Sequence, residues 1–254
     1  MSTPFILVTN DDGITAPGLK ALVEVASELG KVIVIAPDSP QSGMGHAITV
    51  NNPIRIDRSQ VFGKTEAYTC SGTPVDCVKV GIFQLLKKKP DLIVSGINHG
   101  SNAATNVIYS GTMSAAVEGS MENIPSIGFS LDDFSHEADF GPTQHFARKI
   151  IHKALNSDFP NNVCLNVNIP KLPLRELKGI KVCRQAMAFW EDRFDERKDP
   201  LGKKYYWLTG KFKDQEEADD TDMAALKNGF VSVVPVQFDM TAHHTIGRLN
   251  QWKM

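Results

Sequence analysis

The chain has little of what marks a membrane, nucleic-acid-binding or disulfide-stapled protein. No apolar run approaches the roughly 20 residues that cross a bilayer. The formal net charge is only −2, so neither a nucleic acid polymer nor a membrane surface is an expected partner. The four cysteines, Cys70, Cys77, Cys164 and Cys183, form no CxxC pair and have no close histidine partner. They read as reduced structural cysteines of a cytoplasmic protein, not as a zinc site or a disulfide framework. Met1-Ser2-Thr3-Pro4 carries no basic segment and the apolar run behind it is short, so no signal peptide is expected. The phosphate-binding pattern GxxxxGK[ST] is missing, which removes the P-loop class. Internal repeats and low-complexity tracts are missing too.

What is present is a hydrophobic content of 42% over 254 residues, ample for a full core. The chain is organised around its first apolar stretch. Phe5-Ile6-Leu7-Val8-Thr9 reads as a buried strand and runs directly into Asn10-Asp11-Asp12-Gly13. On a regular strand, adjacent carboxylates point to opposite faces. On a turn opened by Gly13 they can converge, and a hard divalent cation with a preference for oxygen ligands relieves their repulsion. The same residue types also make an ordinary βα turn.

Downstream, strand and helix patterns alternate. Pro17 opens a helix with an apolar stripe at Leu19, Leu22, Val23, Ala26 and Leu29, stopped by Gly30. Lys31 to Ala36 is a second strand with little alternation, as expected when both faces are covered. The polar loop Asp38 to His46 follows at a carboxyl edge, where Ser42 and Gly43 can offer a hydroxyl and backbone N–H groups to an ion or phosphate. Ile48-Thr49-Val50 and Ile54-Arg55-Ile56 alternate and suggest a small antiparallel excursion. Thr73-Pro74-Val75-Asp76 is a helix start with a capping box, which gives Asp76 a structural role first. Asp91 to Ser95 is a further strand, ending in Gly96-Ile97-Asn98-His99-Gly100. Asn98 brings a neutral carbonyl oxygen suited to a hard cation; His99 reads as an exposed loop histidine, with general-acid chemistry as its alternative.

Ser110-Gly111-Thr112 opens a helix of small residues, and such an N-terminus favours phosphate through its free N–H groups and dipole. Thr112 is equally explained as a plain cap. Pro125 to Ser130 and Val163 to Val167 read as strands and Phe146 to Leu155 as a helix. The alternation implies an α/β fold with a doubly wound, mostly parallel sheet over residues 1–177. From about Lys178 the texture becomes aromatic and charged, as in Phe189-Trp190 and Tyr205-Tyr206-Trp207, and reads as hairpins and arms suited to a subunit interface. In the acidic run after Glu216, Asp222 is a possible helix cap. Phe230 to Pro235 reads as a late strand.

Taken in order, Val8-Thr9-Asn10-Asp11-Asp12-Gly13-Ile14, Ala36-Pro37-Asp38 through Ser42-Gly43, Gly72-Thr73-Pro74-Val75-Asp76-Cys77, Ser95-Gly96-Ile97-Asn98-His99-Gly100 and Ser110-Gly111-Thr112 resemble the SurE family of survival proteins, which are metal-dependent 5′-nucleotidases. Arg184-Gln185, Tyr205-Tyr206-Trp207 and Phe230-Val231-Ser232 extend the likeness over nearly the whole chain. Cys183 and Phe230 depart from the Thr and Tyr expected there. The resemblance implies a Rossmann-like core at 1–177 and a C-terminal hairpin and helical extension at 178–254, exchanged between subunits of a homodimer or homotetramer. It implies one divalent cation per subunit, Mg²⁺ or Mn²⁺, held by Asp11, Asp12, Ser42 and Asn98 with Asn10 nearby, and phosphate received at Ser110-Gly111-Thr112. Asp11 and Asn98 are the expected catalytic groups, and a nucleoside 5′-monophosphate is the expected substrate. Two other readings of the same residues are a phosphomonoesterase of broader specificity (3′-nucleotides, sugar phosphates, polyphosphate) and a non-catalytic nucleotide-binding protein.

Overall fold

The computed structural model describes residues 3–135 and 137–252; Met1 and Ser2, part of the segment read above for a leader, lie outside it. The first two thirds alternate strand and helix as the apolar patterns require: β1 (Phe5–Thr9), α1 (Pro17–Leu29), β2 (Lys31–Pro37), β3 (Ile56–Ser59), β4 (Glu66–Cys70), α2 (Pro74–Val80), β5 (Leu92–His99), α3 (Gly111–Met121), β6 (Ser126–Asp132), α4 (Gly141–Leu155) and β7 (Val163–Pro170). Then come β8 (Ile180–Val182), the long pair β9 (Ala188–Lys198) and β10 (Lys204–Asp214), α5 (Asp222–Lys227), β11 (Val231–Gln237) and α6 (His243–Leu249). Among the described residues no helix is long and apolar enough to cross a membrane.

A nine-stranded sheet runs in the order β3-β4-β2-β1-β5-β6-β7-β11-β8. The block β4-β2-β1-β5-β6-β7 is parallel throughout. Numbered within that block the order is 3-2-1-4-5-6, the doubly wound arrangement, with its switch point between β1 and β5. β3 is antiparallel to β4 and β11 is antiparallel to β7, whereas β8 pairs in parallel with β11. The segment after residue 177 thus returns β11 and β8 to the main sheet, while β9 and β10 pair only with each other, as a separate two-stranded ribbon.

The unbroken apolar strands follow from burial on both faces. In β1, Ile6 and Val8 enter one core cluster and Phe5 and Leu7 another; in β2, Val32, Val34 and Ala36 alternate with Ile33 and Ile35 in the same way. Helices α1 and α4 cover the first face. Helices α2 and α3 pack together over the second.

Three expectations need correction. Ile48 to Val50 forms no strand, because the Thr49 N–H and hydroxyl are taken up by the Asp76 carboxylate, at 3.2 Å to Oδ1 and 2.6 Å to Oδ2, and no ladder partner replaces it. The antiparallel excursion starts at Ile56 and pairs with β4. β5 does not stop at Ser95 but continues to His99 through a register shift between Ser95 and Asn98. Asp222 does not cap α5. Thr221 does, accepting from Ala224 N, while the buried Asp222 carboxylate accepts from the backbone N–H groups of Ala104, Ala186 and Met223. It therefore ties the C-terminal segment to the loop behind β5. The capping box at Thr73 and Asp76 is present as expected.

Helix α1 approaches β5 closely at Gly18, where a Cβ would fall 2.0 Å from the Ile97 carbonyl oxygen. Alanine is better than glycine in a helix by ~1 kcal/mol, but overpacking against backbone costs ~1–3 kcal/mol or more. The clash wins. Gly18→Ala is expected to lower unfolding stability by ~2 kcal/mol, read from the urea midpoint; a midpoint at or above that of the unmodified protein contradicts this packing.

Candidate active site at the sheet switch point

The site lies where the carboxyl ends of β1 and β5 adjoin, Thr9 standing opposite Ser95 in the ladder. After Thr9 the chain turns at Asn10 to Gly13. Asn10 Nδ2 donates to the Gly13 carbonyl at 3.0 Å, and Gly13 adopts φ 95°, a conformation open to glycine. The turn is pinned to the end of β2 by Ile14 N donating to Pro37 O at 2.9 Å. It is pinned to the 38–46 loop by Gln41 N donating to Asp11 O at 2.8 Å.

Asp11 is buried, and its carboxylate accepts from the Thr112 hydroxyl across a sequence separation of 101 residues. Helix α3 comes this close because residue 111 is glycine; a Cβ there would sit 2.7 Å from Asp11 Cβ. Burial pushes the Asp11 carboxyl up to about 6, against the pull of the Thr112 hydroxyl and with help from the neighbouring charge of Asp12. Burial also raises Asp12, and the charge and backbone N–H of His99 partly offset it. Neither acid has a salt-bridge partner among the described residues.

Ser42 and Gly43 follow directly on the anchored Gln41. Both are exposed, and Gly43 takes φ 75°. Asn98 commits its Nδ2 to the carbonyls of His99 and Gly100, at 3.1 and 2.8 Å, which leaves its carbonyl oxygen as the uncommitted group of the side chain. Ser110 is the true cap of α3: its hydroxyl accepts from Met113 N at 3.0 Å. Thr112 is therefore not the cap. The hydroxyls of Ser110 and Thr112 are both committed; the N–H groups of Gly111 and Thr112 have no partner within the helix, and that of Thr112 also acts on the Asp11 carboxylate.

The switch point thus gathers Asn10, Asp11, Asp12 and Asn98 with Gly111 and Thr112, and brings the Ser42–Gly43 loop alongside. The Thr112 tie to Asp11 had no signal in the sequence, since nothing local links residues so far apart. His99, read as an exposed loop residue, is half-buried, with its ring edge-on to Phe140 at 5.1 Å and its charge felt by Asp12.

The donors suit a hard cation. Asn10 Oδ1 and Asp12 Oδ2 are buried acceptors without a hydrogen-bond partner, and each such atom carries a desolvation cost of ~1–3 kcal/mol or more until it is paired. No group of three or more His, Cys, Asp or Glu side chains suited to metal occurs among the described residues. The set here consists instead of two carboxylates with neutral amide and hydroxyl oxygens, as Mg²⁺ and Mn²⁺ accept.

Fold and site together define a Rossmann-like α/β protein with oxygen donors and a helix N-terminus converging at its switch point. The family model "Survival protein SurE" matches residues 6–192. A protein of Flavobacterium johnsoniae named 5′-nucleotidase SurE is 59% identical over 252 residues, spanning 99% of this chain and 97% of its own length. One of the same name from Christiangramia forsetii is 60% identical over 253 residues, spanning 99% and 97%. The crystal structure of the SurE protein from Aquifex aeolicus superposes with a TM-score of 0.84 at 40% identity, covering 97% of this chain and 98% of that one. The chain belongs to the SurE family.

The Asp11 environment has a thermodynamic consequence. With its folded pKa raised from 3.8 to about 6, the native state holds a proton that the unfolded chain has already lost between those values. Stability in chelator is therefore full at the acid end and falls as pH rises from ~4 to ~6.5, by up to ~3 kcal/mol from this group. Asp11→Asn is expected to flatten that part of the pH–stability curve; an unchanged slope in the variant contradicts the assignment.

Proposed function

We propose that the protein is a divalent-cation-dependent nucleoside 5′-monophosphate phosphohydrolase, releasing nucleoside and inorganic phosphate. The observation that carries the reading is the Asp11–Asp12 turn with its unpartnered acceptors, held against an anion-suited helix terminus in a chain about as long as its relatives named 5′-nucleotidase. Asp11, Asp12, Ser42 and Asn98 would hold the cation, with Asn10 beside them. When bound, such an ion supplies Lewis acidity toward phosphate and a water of lowered pKa.

The chain's own residues do the rest. The N–H groups of Gly111 and Thr112 bind phosphate oxygens, with Gly43 N–H on the facing loop, and stabilise charge on the phosphoryl group in flight. Ser110 keeps that terminus formed through its cap. The Thr112 hydroxyl fixes one oxygen of Asp11 and aims the other at the attacking water, whose proton Asp11 accepts. Asn98, its amide nitrogen committed, presents its carbonyl oxygen. Attack by water fits better than an aspartyl-phosphate route, because the acids are adjacent and lack the DxD spacing common to that chemistry.

The aromatic ribbon of β9 and β10, with Phe194, Tyr206, Trp207 and Leu208 exposed, supports an oligomerisation arm within 178–254 and a homodimer or homotetramer. The free, buried cysteines support a cytoplasmic setting.

The test is phosphate release from a panel of 5′- and 3′-nucleotides, sugar phosphates and short polyphosphates after chelation and resupply of Mg²⁺ or Mn²⁺. We expect 5′-monophosphates to be hydrolysed only with metal, and Asp11→Asn or Asp12→Asn to lose roughly 100-fold or more in kcat while remaining folded. Equal turnover across the panel would instead make the protein a general phosphomonoesterase. Nucleotide binding with no release would make it a binding protein, and full turnover in excess chelator would reject the cation.

A further inference from the structure

The loop at 38–46 that carries Ser42 and Gly43 is largely exposed and has no regular structure of its own. Its end nearest the site is held by Gln41 N on the Asp11 carbonyl. Its far end is held by a buried acid on a different element. Glu118 lies on α3, six residues beyond Thr112 and so ~9 Å further along the helix. Lys79 on α2 reaches one Glu118 carboxylate oxygen at 2.6 Å, and His46 Nε2 reaches the other at 3.0 Å.

Lys79 alone balances the charge of Glu118, so His46 is not needed for neutralisation. What His46 adds is mechanical: it fastens the loop to the helix whose first turn grips Asp11 through Thr112. Backbone contacts continue the fastening, with Gly45 N donating to Tyr109 O at 3.2 Å and the Thr73 hydroxyl donating to Ala47 O at 2.7 Å. Burial opposes ionisation of Glu118, but the His46 and Lys79 bonds hold its carboxyl below the usual range, so it remains an anion with both oxygens engaged.

We infer that His46 and Glu118 are positioning residues for the cation site: Glu118 holds His46, and through it keeps the Ser42–Gly43 loop in register with the Asp11–Asp12 turn. The inference rests on the cation-dependent reading above. Its physical basis is preorganisation, since a loop already fixed loses less conformational freedom when a ligand binds, and partners that orient first-contact groups commonly govern metal affinity.

The test is the Kd for Mn²⁺, measured by titration calorimetry on the full chain after chelator removal. His46→Ala and Glu118→Gln are each expected to weaken Mn²⁺ binding roughly ten-fold. The double variant should do no worse than the weaker single one, because both break one strut. His46→Gln keeps an N–H donor and should recover most of the affinity. A merely stabilising ion pair would lower the melting temperature and leave the Kd unmoved, and that result overturns the inference. His46 is on the surface side of the strut, so His46→Ala and His46→Gln decide the matter even when the Glu118 variant fails to fold. An unmodified protein that binds no Mn²⁺ overturns the cation reading itself; one that binds while His46→Ala binds equally well overturns only the positioning role.

Discussion

Two carboxylates side by side in a buried turn repel each other and resist ionisation, and the surroundings of Asp11 and Asp12 are built to hold them there nonetheless. Burial raises both, while the Thr112 hydroxyl and nearby backbone N–H groups at Asp11, and His99 at Asp12, pull the other way. No lysine or arginine neutralises them within the described residues. Such an arrangement in a structural core would be a liability of several kcal/mol. At the switch point of a doubly wound sheet, unneutralised buried acids of this kind mark a candidate functional site.

Holding the turn requires close approach from several directions, and small residues make that possible. Gly111 lets the first turn of α3 press against Asp11, while Gly18 lets α1 lie on the backbone of β5 beneath Ile97. The 38–46 loop closes from a third side through Gln41, and the Glu118 strut carries its far end back to α3. The helix that grips Asp11 through Thr112 is thereby the same body that holds the far end of the loop through Glu118. The buried small residues of this helix, Ala115, Ala116 and Gly119 among them, let it lie close to α2, β5 and β6.

Asp222 shows the same economy at the other end of the chain. An acid that sequence position suggests as a helix cap instead collects one backbone N–H from each of two distant segments, one of them just beyond β5, and a third from its neighbour Met223. The C-terminal segment is thus integrated twice, by β11 and β8 in the main sheet and by this buried carboxylate. Only the β9–β10 ribbon stands apart from that sheet.

By itself the sequence determined the alternating elements, the end of β1 that carries Asp11, the capping box at Thr73 and Asp76 and the aromatic hairpin. Each of these depends on periodicity or on turn chemistry within a few residues, which local order records. The tertiary structure alone decided that Thr112 serves Asp11 and not its own helix, that Thr49 is claimed by Asp76 and so makes no strand, and that β5 runs past Ser95. It likewise decided that Glu118, His46 and Lys79 meet. Those outcomes depend on which donor is nearest to which acceptor once distant segments pack. A hydroxyl or carboxylate has the same local appearance in the chain whatever partner the packing later brings to it.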